Sequence, residues 1–258
     1  MGGDPRGRPM PLLDPFHRPL HPYIQWQSLH TGWMTYLAAD MNRELPRPFF
    51  ATPSRHLGIE IDVAALERLG RPAEDGTPGW RPTWQPPPAG LTVPFTPAVD
   101  EVEVLIHGDT LDGVRLLGAV ELVSPANKDR PDTREAFVSK CHGYLQQGVG
   151  LLIVDVVTDR HANLHDELMT RLGQPAARVG GHLYATAYRP TGKNGAGELA
   201  VWPEPLAVGR PLPTLPFWLL GGVCVPARLE QTYDQMCRDL RVYDVHRWVS
   251  PQPQGEPA

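Results

Sequence analysis

The segment from Gly150 to Val157, GLLIVDVV, is a short, continuous apolar run. Such a run marks a strand buried on both faces, the situation that a parallel sheet imposes. Ahead of it, Phe137, Cys141, Tyr144 and Leu145 form a helical stripe that stops at Gly148, and Asp132 with Glu135 gives that helix a start resembling a capping box. A further strand, Val114 to Val123, precedes the helix. A strand, a crossover helix and a buried strand predict a parallel pair.

Other segments attach to this unit. From Ile24 to Leu45 the residues Trp26, Leu29, Trp33, Leu37, Met41 and Leu45 recur at helical spacing, and Pro46 ends the pattern. His56 to Val63 alternates as a half-buried strand does, with Leu57, Ile59, Ile61 and Val63 on one side and Glu60 and Asp62 on the other. Residues 71–98 carry prolines 72, 78, 82, 86, 87, 88, 94 and 97 without any period, which predicts an irregular connection. Val99 to His107 and Val114 to Val123 flank the turn-rich GDTLDG, a hairpin signal. Later come a second hairpin, His182 to Arg189 with Glu198 to Trp202, and a helix from Ala227 to Leu240.

The length of 258 residues suits one large domain, expected over residues 10–249, with residues 1–9 and 250–258 as disordered ends. Within it, a core over about residues 24–158 is followed by an extension over 159–249. Against 29 acidic residues stand 24 basic ones, so the net charge of −5 argues against bulk electrostatic capture of nucleic acid, though not against a local basic groove. Cys141, Cys224 and Cys237 lack C-x-x-C spacing, and no stretch has the ~18 apolar residues of a membrane span. A cytoplasmic protein without membrane contact is the expectation.

Read up to Val157, the order is helix, three strands, helix, strand. That is the core order of the restriction-endonuclease-like, PD-(D/E)xK fold, an α/β arrangement on a mixed sheet. In such a site an acid on the second strand and another on the third hold a divalent cation, and a lysine serves the attacking water. The second strand offers Glu101 and Glu103, the third ends in Glu121, and Val123 stands where that pattern puts its lysine. Lys140, on the flank of the helical stripe, and Lys128, in the loop after Glu121, are the replacements. A two-residue loop, Asp112-Gly113, would set Glu103 opposite Leu122 and point Glu121 to the other face, whereas a three-residue loop, Leu111 to Gly113, would set Glu103 directly opposite Glu121, the expected arrangement, where a cation between the carboxylates would offset their repulsion. Ser124, Pro125 and Asn127 read as turn-shaping residues. His161 and His165 are spaced i, i+4 without the rest of a zinc motif, and His30 reads as a helix histidine bonding a neighbouring loop.

MPLLDPFHRPL near the start, SLHTGW in the first helix, ELVSPANK, the helix from Arg134 to Lys140 and GVGLLIVDVV together resemble the bacterial family called domain of unknown function 4058. The resemblance extends over most of residues 10–245 and implies no established activity. The central 60 residues are also similar to the restriction-endonuclease-like Uma family, which implies a nuclease-like core with its lysine moved onto the helix. The expected function is a Mg²⁺- or Mn²⁺-dependent phosphodiesterase acting on nucleic acid. In that reading Glu103 and Glu121 are the metal ligands and Lys140 or Lys128 lies near the scissile phosphate. The alternative is a non-catalytic binding or scaffold module that kept the fold and lost the chemistry.

Overall fold

Seven strands form one mixed sheet in the order β1-β2-β4-β5-β6-β7-β3 in the computed structural model, which describes residues 11–54, 61–68, 83–95, 114–193, 196–220 and 222–249. In chain order the elements are α1 (Trp26–Glu44), β1 (Phe49–Ser54), β2 (Ile61–Arg68), β3 (Leu91–Pro94), β4 (Val114–Leu122), α2 (Pro125–Asp129), α3 (Pro131–Gln146) and β5 (Gly150–Asp155). After them come α4 (Leu164–Arg171), β6 (Tyr184–Lys193), β7 (Ala196–Pro205), β8 (Thr214–Trp218), β9 (Cys224–Arg228), α5 (Leu229–Asp239) and α6 (Val242–Val249). Strands β8 and β9 pair only with each other. The molecule is thus a mixed α/β structure, and none of its described helices is long and apolar enough to cross a membrane.

Each face of the sheet is covered. On one side the α1 stripe of Leu29, Trp33, Leu37 and Met41 packs with Phe217 of β8 and Met236 of α5 against Val120, Leu152 and Val154. On the other, Phe137, Cys141 and Leu145 of α3 and Leu164 and Leu168 of α4 cover Leu151 and Ile153. Every residue of β5 is therefore buried, which is why its sequence carries no alternation. The β4–β5 pair is parallel, with Gly118 opposite Gly150 and Glu121 opposite Ile153, as the crossover through α3 requires.

Strand order departs from the sequence reading in three places. Strand β4 has β2 on one edge, through Val63 opposite Val120, and β5 on the other. Over Val114–Val120, the place beside β4 that the hairpin reading gave to Val99–His107 is therefore taken by β2. Residues 96–113, with Glu101 and Glu103, lie outside the described residues, as do the expected disordered ends. Second, β2 runs Ile61–Arg68 and so begins near the end of the strand read over His56–Val63, whose residues 56–60 lie outside the described residues; Val63 is buried as read, and Ala64 and Ala65 after it are buried too. Third, the proline-rich connection contains β3, which pairs antiparallel with β7 at the far edge of the sheet. Pro94 closes that four-residue strand at an edge, where a missing N–H is tolerated. The second hairpin is longer than its sequence signal, with β6 and β7 paired from Tyr184 opposite Pro205 to Lys193 opposite Ala196.

Two glycines let the β8–β9 hairpin sit down on the sheet. A Cβ on Gly118 would lie 2.7 Å from Phe217 Cζ, and one on Gly150 would lie 1.9 Å from the Trp218 carbonyl oxygen. The latter contact is with backbone and cannot relax by side-chain rotation. Gly143, inside α3, has open space where its Cβ would be. Gly150→Ala is therefore expected to lower the unfolding free energy by about 1–3 kcal/mol or more through overpacking. Gly143→Ala should raise it by about 0.5–1 kcal/mol through helix propensity. Urea unfolding of both variants measures this, and effects of the same sign would contradict the packing described.

Candidate functional site

Because β4 and β5 are parallel, both end at the same edge of the sheet, and space beyond the carboxyl ends of such strands is where α/β sheets leave room for ligands. A cleft of about 770 Å³ opens there, within the usual range for small-molecule sites. One wall comes from the start of α1 and the segment before it, including Phe16, Trp26 and His30, and the other from Glu121, Ser124, Asn127 and Lys140.

The turn that shapes the second wall is specified locally. Ser124 is the N-cap of α2, Pro125 occupies the first helical position, and Asn127 closes a reciprocal cap. The Ser124 backbone N–H donates to Asn127 Oδ1 at 2.8 Å, and the Asn127 N–H donates back to Ser124 Oγ. Helix α3 follows at once. Its start is capped not by Glu135 but by Thr133, whose hydroxyl accepts from the Arg130 N–H at 3.2 Å, while Glu135 pairs with Arg171.

Glu121, at the end of β4, is 2% exposed and accepts a hydrogen bond from Lys140 Nζ at 2.7 Å. Lys140 reaches it from α3, three residues beyond the buried Phe137, and its ammonium lies 5.3 Å from the Phe137 ring centroid. The structure thus brings together the acid of the third strand and the lysine of the following helix, at the floor of the cleft. The other candidate lysine goes elsewhere. Lys128 Nζ donates to Asp155 Oδ2 at 2.8 Å and to the His182 carbonyl at 3.1 Å, with no part of its side chain exposed, so it is a clamp between α2, β5 and the entry to β6.

Asp155 is a residue that the sequence reading passed over. Its other oxygen accepts from the Val157 N–H at 3.1 Å. Burial outweighs these partners and lifts its carboxyl from 3.8 to about 7, and burial also lowers Lys128 despite the carboxylate beside it. A charged residue inside an otherwise apolar run was the available signal for a buried, paired group. A second network unread in the sequence holds the first wall. Asp14 accepts from Thr158 Oγ1 at 2.8 Å and from the Phe16 N–H at 3.0 Å, and contacts His17 Nδ1 at 2.9 Å, so the DPFH segment is tied to the chain just after β5.

The histidines divide. His165 is buried in α4 against the Tyr188 hydroxyl at 2.5 Å and the Ala177 carbonyl, and burial lowers its pKa. His161 precedes α4 and packs edge-on against His182 with ring centroids 4.7 Å apart, so the i, i+4 pair is not one site. His30 lines the cleft, its ring at 71° to that of Trp26 with centroids 5.7 Å apart.

Of the two expected metal ligands, Glu121 lies among the described residues and Glu103 outside them. Glu121 is already paired with Lys140, and the two acids at the rim, Asp129 and Asp159, are both bound to Arg160. Among the described residues no three His, Cys, Asp or Glu side chains converge as a metal site. A hard cation of this kind takes about six oxygen ligands, usually with more than one carboxylate. Comparison with known proteins finds no matching family model, no matching curated protein and no matching solved structure.

The buried clamp yields a pH dependence with a definite sign. A carboxyl whose folded pKa is raised contributes stability that is complete below its unfolded value, near 4, and that is lost as pH rises through about 7. Asp155→Asn should therefore flatten the fall in unfolding free energy between about pH 4 and pH 7, as read by urea titrations at several pH values. Lys128→Ala should cost about 3–5 kcal/mol by leaving a buried charge unpaired. A fully tolerated Lys128→Ala would show that the clamp does not hold α2 in place.

Proposed function

We propose that the chain is a non-catalytic ligand-binding module built on a nuclease-like fold, with the cleft at the ends of β4 and β5 as its binding site. The observation that carries this reading is the Glu121–Lys140 pair at 2.7 Å. It puts one hydrogen-bond acceptor and one donor on the floor of the cleft as a neutral unit. A polar, uncharged or zwitterionic ligand would gain from both partners. Supporting features are the half-buried Trp26 and Phe16 in the opposite wall, whose rings lie 5.1 Å apart, and the burial of Val123 in the core, where a nuclease of this class has its lysine.

A second reading has one observation in its favour. A Mg²⁺-dependent phosphodiesterase acting on nucleic acid, with Glu103 and Glu121 as metal ligands, needs a lysine from α3 to replace the one missing at position 123. Lys140 does reach Glu121. The two readings separate in one experiment with the full chain: titration with Mg²⁺ and Mn²⁺ by calorimetry, alongside incubation with single- and double-stranded DNA and RNA. The binding-module reading predicts no saturable metal binding at Glu121 and no metal-dependent cleavage. Cleavage that requires Mg²⁺ or Mn²⁺ and is abolished in Glu121→Ala would overturn it in favour of the phosphodiesterase.

A further inference from the structure

Among the described residues, half-buried arginines are neutralised by carboxylates, with one exception. Arg134 pairs with Glu167 at 2.9 Å, Arg160 with Asp159 at 2.9 Å, and Arg228 with Asp40 at 3.1 Å. Arg189 of β6, equally half-buried, has no carboxylate among the described residues and rests on an aromatic face instead. Its guanidinium carbon lies 3.6 Å from the centroid of the Trp218 ring. Partial burial of a charge without a counter-charge is costly, and stacking on a ring offsets only part of that cost.

The surroundings hold this group in a fixed orientation. Trp218 stacks in turn near Trp202, with ring centroids 6.2 Å apart and 29° between planes, and Trp202 is anchored by its indole N–H to the Pro87 carbonyl at 2.9 Å. Beside the guanidinium is Gly222, with φ of +91°, where an added Cβ would stand 3.7 Å from Arg189 Nη2 and meet nothing else. The position next to that edge of the fork is therefore left without a side chain. Among the described residues, the nearby group that could carry a negative charge is Cys224, opposite Trp218 in the β8–β9 ladder, and burial pushes its thiol up to about 12, so it is neutral. Burial also lowers the pKa of Arg189 itself, the sign of a cation that has lost water and gained no anion.

We propose that Arg189, laid flat on Trp218, is a binding site for an oxyanion, a carboxylate or phosphate group held by the planar edge of the guanidinium. Stacking leaves the in-plane N–H donors of an arginine available, and these match two oxygens of such a group. The site is separate from the cleft. It lies where β5 begins, since Gly150 packs on the Trp218 carbonyl, whereas the cleft lies where β4 ends.

The test titrates the full chain at constant ionic strength with inorganic phosphate in one arm and acetate in the other, followed by calorimetry and by tryptophan fluorescence. At least one anion should bind saturably, which also tells a phosphate site from a carboxylate site. Arg189→Met, which keeps the aliphatic stem over the ring, should weaken that binding at least about tenfold, and Arg189→Lys, which keeps the charge without the fork, about three- to tenfold. Arg178→Met, at an exposed arginine that donates to Thr170 on α4, should bind as the natural chain does, so the outcome does not follow from loss of a positive charge alone. If Arg189→Met fails to fold, Arg189→Lys decides alone. Saturation by neither anion, or unchanged affinity in Arg189→Lys, would overturn the proposal.

Discussion

The salt bridge between Lys128 and Asp155 never meets solvent, and the geometry of the cleft depends on it. Two buried charges 2.8 Å apart do not stabilise a fold merely by attraction, because each has given up its water. Here the remaining hydrogen-bonding capacity is used as well: the ammonium also binds the His182 carbonyl, and the carboxylate also binds the Val157 N–H. The consequence is positional. Helix α2 is fastened to the end of β5 and to the entry of β6, so the capped turn at Ser124–Asn127 is held in one place directly after Glu121. With that turn fixed, α3 starts where Lys140 can reach the strand end.

Two lysines near one strand end thus have different tasks, and burial separates them. Lys128 is fully enclosed and can present nothing to a ligand, whereas the Lys140 side chain is 21% exposed and lines the cleft. The pairing of Lys140 with Glu121 leaves the floor of the cleft polar yet close to neutral. That is the physical basis for proposing it as a site for a polar ligand.

Much of the architecture was legible because periodicity reports burial. The stripe of α1, the stripe of α3 and the unbroken run of β5 each state which face is covered, and the crossover between β4 and β5 then fixes a parallel pair. Adjacency was less legible. The turn-rich GDTLDG argues for a local hairpin, but which strand lies beside β4 is settled by long-range pairing with β2, for which spacing along the chain holds no signal. Strand β3 was hidden in proline-rich sequence because an edge strand of four residues needs few ladder bonds. At the site, the choice of Lys140 over Lys128 could be argued from the rigidity of a helix packed on a sheet. The fate of Lys128 could not, since the direction of a loop lysine depends on a partner 27 residues away.

The proposed binding-module reading has Lys140, and not a metal ion, as the partner of the Glu121 carboxylate. Crystals grown with and without Mn²⁺ test it most directly through the anomalous signal at the end of β4. The account predicts no manganese peak there, with Lys140 Nζ at 2.7 Å from Glu121 Oε2 in both crystals. A manganese ion bound to Glu121, with the Lys140 amine displaced from it, would contradict the account.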